Sequence, residues 1–397
     1  MRISMMLTML FAANAALAAP AFTGTDYSGV YDCTGQDAHE GPYTGTVTMQ
    51  LVPGQSTGQY GAYSFRLDVP GYGAYLGQAA ADGDRLGVYF ALQDQSTKDY
   101  GTGIATMTRD ENGRLGFTKY YYEAEFKGGN YGTERCVHQD RKVSGLKTPE
   151  SVLQTPDGRI FVSEINGFGK DGDGQITVIE PDGKVRVYAS GMDDPKGLTW
   201  LGKDLYVADK ARILKVTPDG QWSVFVPETA FPAKPQFLND MERDLPGNYL
   251  YVSDSGDLEK GGAIYRIDLK GKVEKLIDGQ QDARIKAPNG LLMDDSGDVL
   301  LEVDFASGVL YSYNIKTRTL TDLAEGFGGG DGLVHHANGL MYVSDWKNGK
   351  VYSVRHDEPM LVRGGFKAAA DIALTRDGQF ILVPDMKAGE LVWVPVK

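Results

Sequence analysis

The sequence predicts an all-β protein: a six-bladed β-propeller preceded by a small antiparallel, barrel-like domain. Three observations carry this. Short apolar runs alternate with Asn-Gly, Asp-Gly and Pro-Asp-Gly turns, and 51 of the 397 residues are glycine. No stretch sustains a helical period. From residue 149 onward one pattern (apolar run, turn, apolar run, acid) recurs six times.

Arg2 is followed by an apolar stretch, ISMMLTMLFAANAALAA, too short and too soon followed by Pro20 to cross a bilayer. Ala16-Leu17-Ala18 supplies a small-x-small cleavage pattern, so residues 1–18 read as a signal peptide, with an uncleaved anchor as the alternative. A periplasmic or secreted protein is therefore expected. No later segment offers the roughly 20 apolar residues of a membrane-spanning helix. A net charge of −13 without a basic stripe argues against nucleic acid and anionic membranes, and a small-molecule substrate or ligand is the partner expected from the site described below.

Residues 24–140 hold eight strand-like runs in simple succession, from YSGVYDCTG to YGTERCVHQ, as in an up-and-down barrel. Closing such a barrel makes its first and last runs neighbours, and the only two cysteines, Cys33 and Cys136, lie on those runs. In an exported protein two thiols pair more often than they stay free. The bond would close a loop of about 100 residues and contribute about 4–5 kcal/mol. A β-sandwich with the same bond is the alternative. Tyr120, Tyr121 and Tyr122 read as barrel packing, with a cavity lining as the alternative, and no chemistry is assigned to this domain.

Residues 141–397 contain the repeats. Their second apolar runs end on Glu164, Asp209, Asp254, Asp304, Asp345 and Asp385. Six units of roughly 40–50 residues, each a four-strand meander, describe a six-bladed propeller. The last unit is one strand short, and Arg141–Leu146 is the segment placed to complete it. The recurring acids read as caps of turns and backbone, since all six blades have one.

The residue just before each innermost strand should project at one mouth of the central channel. Around the ring this column reads Glu150, Lys196, Asn239, Asn289, Asp331 and Asp371. Five of these six offer oxygen, and none is Cys or His. Converging oxygens suit a hard divalent cation, and calcium accepts carboxylates and amide carbonyls with room for water or substrate. Asn-Gly and Asp-Gly also favour turns by themselves, so the register across blades is the signal.

With these motifs, TPES, FLND, APNG and GGDG, residues of about 147–397 resemble the senescence marker protein/gluconolactonase (regucalcin-like) family of propellers. The resemblance implies a metal held by Glu150, Asn239, Asn289 and Asp331, with Asn239 also facing substrate. It implies a lactonase mechanism in which the metal polarises a carbonyl and activates water while Asp331 acts as general base. Lys196 departs from the family pattern. It is expected either to pair with Asp371 or to bind a carboxylate or phosphate on the ligand. The family's arginine-bearing substrate loop has no equivalent here. The sequence has no nucleophile elbow and no phosphate-binding glycine loop. The expected function is a metal-dependent hydrolase of lactone-like or ester-like small molecules. The rivals are a non-catalytic propeller that binds a sugar, peptide or partner protein, and one whose metal is structural.

Overall fold

The computed structural model describes residues 20–396, so the expected signal peptide, residues 1–18, lies outside the described residues. Among them no α-helix occurs, only strands and four short 3-10 turns. No helix is long and apolar enough to cross a membrane. Two compact units form: residues 20–110 with 115–139 hold a barrel, and residues 111–114 with 140–396 hold a propeller.

The barrel consists of β1 (Gly29–Asp37), β2 (Gly41–Leu51), β3 (Tyr60–Val69), β4 (Gly73–Asp82), β5 (Arg85–Leu92), β6 (Tyr100–Arg109), β7 (Leu115–Glu123) and β8 (Asn130–His138). These close in sequence order, with β8 returning antiparallel to β1. Period-two alternation sends one face of each strand inward, and the core gathers Tyr31, Val47, Phe65, Leu86, Phe90 and Phe117. Cys33 and Cys136 are direct partners across the β1–β8 seam, their Cα atoms 4.1 Å apart, and they are joined by the disulfide. Closure settles the choice between barrel and sandwich. It also leaves no free edge strand.

The second unit is six four-stranded sheets. In five of them the strands follow chain order. The sixth is built from Ala373–Leu374, Phe380–Asp385, Glu390–Pro395 and, on its outside, β9 (Arg141–Ser144). Leu391 pairs with Val143 and Trp393 with Arg141, whose guanidinium lies 4.6 Å from the Trp393 ring. The segment expected to close the ring therefore does so, tying the start of the propeller to its end. Between the blades lie small apolar cores, such as Phe161, Ile176, Leu198 and Val207 between the first and second.

Candidate functional site at the centre of the propeller

Five of the six innermost strands carry a local irregularity at the column read from the sequence. The pairing with the second strand shifts between Pro149 and Val152, Pro195 and Leu198, Leu238 and Met241, Pro288 and Leu291, and Gly330 and Leu333. Glu150, Lys196, Asn239, Asn289 and Asp331 are thus the second residues of their strands, inside a bulge, rather than the residues before them. A bulge re-aims side chains off the regular pleat, and here it turns one polar group per blade toward the axis. Asp371 stands two residues ahead of the short strand Ala373–Leu374. All six are buried, none more than 8% exposed.

The glycine that follows has a steric cause. A Cβ on Gly290 would meet the backbone oxygen of Asp331 at 2.2 Å, and one on Gly197 would meet that of Asn239 at 2.5 Å. Neighbouring inner strands approach too closely there for a side chain. Asn289-Gly290 is therefore no hairpin turn; it is a buried position on an inner strand beside a close blade contact.

The six recurring acids hold this arrangement from below. Asp209 accepts the amides of Asp193 and Asp194; Asp254 those of Gln236 and Phe237; Asp304 those of Lys286 and Ala287. Asp385 accepts from Lys367 and Ala368, Asp345 from Gly329, and Glu164 from Lys147. Each thereby fixes the segment that enters its own inner strand, satisfying amides that would otherwise be buried without partners. Their role is the capping one expected.

Four oxygens at the axis have no hydrogen-bond donor: Glu150 Oε2, Asn239 Oδ1, Asn289 Oδ1 and Asp331 Oδ1. These belong to the four residues that the family resemblance singled out. The amide of Asn239 is oriented by donating Nδ2 to Ser255 Oγ at 3.0 Å, and Ser255 in turn donates to the Pro288 carbonyl at 2.8 Å. The Asn289 side chain beside Asp331 works to lower the Asp331 pKa. Burial drives the Glu150 carboxyl far above its usual range and Asp331 adds to this, while Lys196 opposes it. Asp331 is raised likewise, by burial and then by Asp371 and Asp240. Orphaned acceptors and crowded acids together describe a place that lacks positive charge.

Lys196 is 1% exposed, and burial lowers its pKa. Its Nζ donates to the Asp194 carbonyl at 3.1 Å and lies 4.3 Å from the Phe237 ring centre. Among the described residues it makes no ion pair with Asp371, which instead accepts the hydroxyl of Ser151. The expected pairing of the two is replaced because their side chains serve different neighbours.

Two features escaped the sequence reading. Asp240, next in chain to Asn239, accepts the Leu291 amide at 2.6 Å across to the fourth blade and is pushed up to about 6 by burial. With Glu242 and Asp371 it lines a cavity of about 340 Å³ in the opposite half of the channel. These acids do not join Glu150 and Asp331 in any three-carboxylate group spanning under 4.8 Å. The second feature is a layer one residue beyond each recurring acid, on the column's side: Ile165, Lys210, Ser255, Phe305, Trp346 and Met386. Their amides bond back to the segments entering the inner strands. Phe305 and Trp346 stand 6.1 Å apart, with the ammonium groups of Lys347 and Lys387 over their faces. Alignment on the acids, carried one position further, would have revealed this layer.

The fold is a six-bladed propeller, and residues 199–372 match the family model of the SMP-30/Gluconolactonase/LRE-like region. Asn239, Asn289 and Asp331 fall within that match; Glu150 and Lys196 precede it. Among solved structures, a putative gluconolactonase is 19% identical, with a TM-score of 0.51 over 65% of this chain and 91% of that one. The calcium-binding protein regucalcin from Agrobacterium tumefaciens is also 19% identical, with a TM-score of 0.51 over 64% of this chain and 90% of its own. At that identity the likeness shows the fold. No curated protein matches the sequence.

Proposed function

We propose that the protein is an exported, divalent-cation-dependent hydrolase of lactone-like or ester-like small molecules, with calcium as the cation. The observation that carries this is the coincidence of four donor-free, buried oxygens on the four residues that the family resemblance assigns to a metal. Glu150, Asn239, Asn289 and Asp331 would hold the cation, two carboxylates and two amide oxygens being a hard-cation donor set. When bound, such an ion supplies Lewis-acid polarisation of a carbonyl and a more acidic water.

The chain's own groups supply the rest. Asp331 accepts the proton of the attacking water as general base. Asn239, held by Ser255, orients the substrate carbonyl, and Lys196 moderates the charge of Glu150 from the second blade. Phe305 and Trp346 offer apolar faces to the body of the substrate as it enters. Export is supported by the Ala16-Leu17-Ala18 pattern and by the Cys33–Cys136 disulfide, a bond that persists in oxidising compartments.

The test is hydrolysis of aldonolactones and aryl esters with and without chelator, beside elemental analysis of the purified protein and its Glu150→Gln variant. Turnover that survives both chelation and Asp331→Ala refutes the mechanism. The aromatic pair at the mouth favours a second reading, a binding propeller without catalysis. That reading predicts thermal stabilisation by sugars or peptides and no turnover of any ester.

A further inference from the structure

The barrel holds a site of its own. Along β7 the side chains alternate, so Lys119, Tyr121 and Glu123 point inward while Tyr120 and Tyr122 face solvent. Of the three consecutive tyrosines only the middle one can line a cavity. It does so beside Asp37, at the end of β1, and Asp99, just ahead of β6. With Tyr75, Phe90 and Leu67 these groups line a cavity of about 50 Å³, open at its mouth, at the end of the barrel formed by the β1–β2, β3–β4, β5–β6 and β7–β8 turns.

The charges in this cavity do not balance. Glu40, at its mouth, pairs with Lys127, and Lys119 is the only cation among the described lining residues. That ammonium is already committed: it lies 2.7 Å from Glu134 Oε2 and rests against the rings of Phe65, Phe90 and Tyr121 at 5.2, 5.2 and 5.6 Å. Asp37, Asp99 and Glu123 remain, each more than nine-tenths buried and served only by neutral donors. Asp37 accepts from Tyr121 Oη at 2.7 Å, from Asn130 Nδ2 at 2.8 Å and from the amides of His39 and Glu40. Glu123 accepts from Asn130. Asp99 accepts from Tyr75 Oη at 2.9 Å through Oδ2, and its Oδ1 has no donor. Burial lifts Glu123 to about 7 and Asp99 above its ordinary value, and each bears on the other.

What would complete the site follows from the spacing. The oxygens of the three acids do not gather within 4.8 Å of one another, so one metal ion is not the missing partner. An ammonium with several N–H donors can serve separated acceptors, and the rings of Tyr75, Phe90 and Tyr121 offer π faces to a cation and contact to an apolar body. We infer that the barrel binds a small organic cation, a protonated amine on an aromatic or aliphatic body, with its nitrogen at Asp99 and Glu123 and its body against Leu67, Val69 and Phe90.

Calorimetric titration of the full chain tests this with 2-phenylethylamine, tyramine and cadaverine, and with 3-phenylpropionate as the control of opposite charge. At least one amine is expected to bind saturably at one site, and the carboxylate not at all. Asp99→Asn and Glu123→Gln, each shown to be folded by thermal unfolding, are expected to weaken the amine about tenfold or more. No binding of any amine at millimolar concentration overturns the inference. So does equal binding of the carboxylate, or an affinity unchanged in both variants.

Discussion

Glu302 stands where the other five blades have valine. Val162, Val207, Val252, Val343 and Val383 occupy the same place, two residues ahead of the recurring acid, and all are fully buried. Glu302 is 0% exposed, and neither of its carboxyl oxygens has a donor. A buried acceptor without a partner costs about 1–3 kcal/mol. Valine has nearly the volume of glutamate, so Glu302→Val should recover that cost without opening a cavity.

The pH dependence is a sharper mark. Burial, and then the charge of Asp304, raise the Glu302 pKa well above 4.5. Its proton stays on in the folded chain and is lost from the unfolded chain above that value. A raised folded pKa means that the contribution to stability is complete below the unfolded pKa and is lost as pH rises toward the folded one. The loss runs at about 1.4 kcal/mol per pH unit. Glu302→Val removes it, so the gain at pH 7 should exceed the gain at pH 5. In a domain of this size each kcal/mol moves the melting temperature by roughly 2–4 °C. Scanning calorimetry of both proteins at the two pH values measures this. A variant that melts lower, or gains equally at both, refutes the account of Glu302 as a neutral, unpartnered acid.

Calcium at about a hundred times its dissociation constant should stabilise the propeller by about 2.7 kcal/mol. Differential scanning fluorimetry should show that shift in the wild type and its loss in Glu150→Gln. Gly290→Ala should cost about 1–3 kcal/mol through overpacking against the Asp331 backbone. Gly87→Ala, where a Cβ meets nothing within 4 Å, should be near neutral in the same denaturant titrations. Replacing both Cys33 and Cys136 by serine should destabilise the barrel by about 2–5 kcal/mol, read as an earlier unfolding transition.

Much of this architecture was open to reading in one dimension, for a physical reason. Strand structure is written in local alternation and turn residues, and a repeat writes the same instruction six times. Alignment on Glu164, Asp209, Asp254, Asp304, Asp345 and Asp385 therefore yields blade number, ring closure by the segment Arg141–Leu146 and the axial column together. The pairing of Cys33 with Cys136 followed from the neighbourhood of first and last strands in a closed barrel. The inward turn of Lys119, Tyr121 and Glu123 was also present in the alternation of β7.

Other matters depend on chain segments far apart in sequence. The bulges that aim Glu150, Asn239, Asn289 and Asp331 arise from pairing with the second strands. That Asp240 spends its carboxylate on Leu291, and that Lys196 turns to Asp194 and Phe237 rather than Asp371, is decided by blade against blade. The same holds in the barrel, where Asp99 in the turn before β6 and Glu123 at the end of β7 meet only when the strands pair. Local sequence sets which face a side chain occupies. Which other side chains share that face, and whether a buried oxygen finds a donor there, is settled by packing in three dimensions, because burial and unmet hydrogen bonds belong to the assembled neighbourhood and to no single residue.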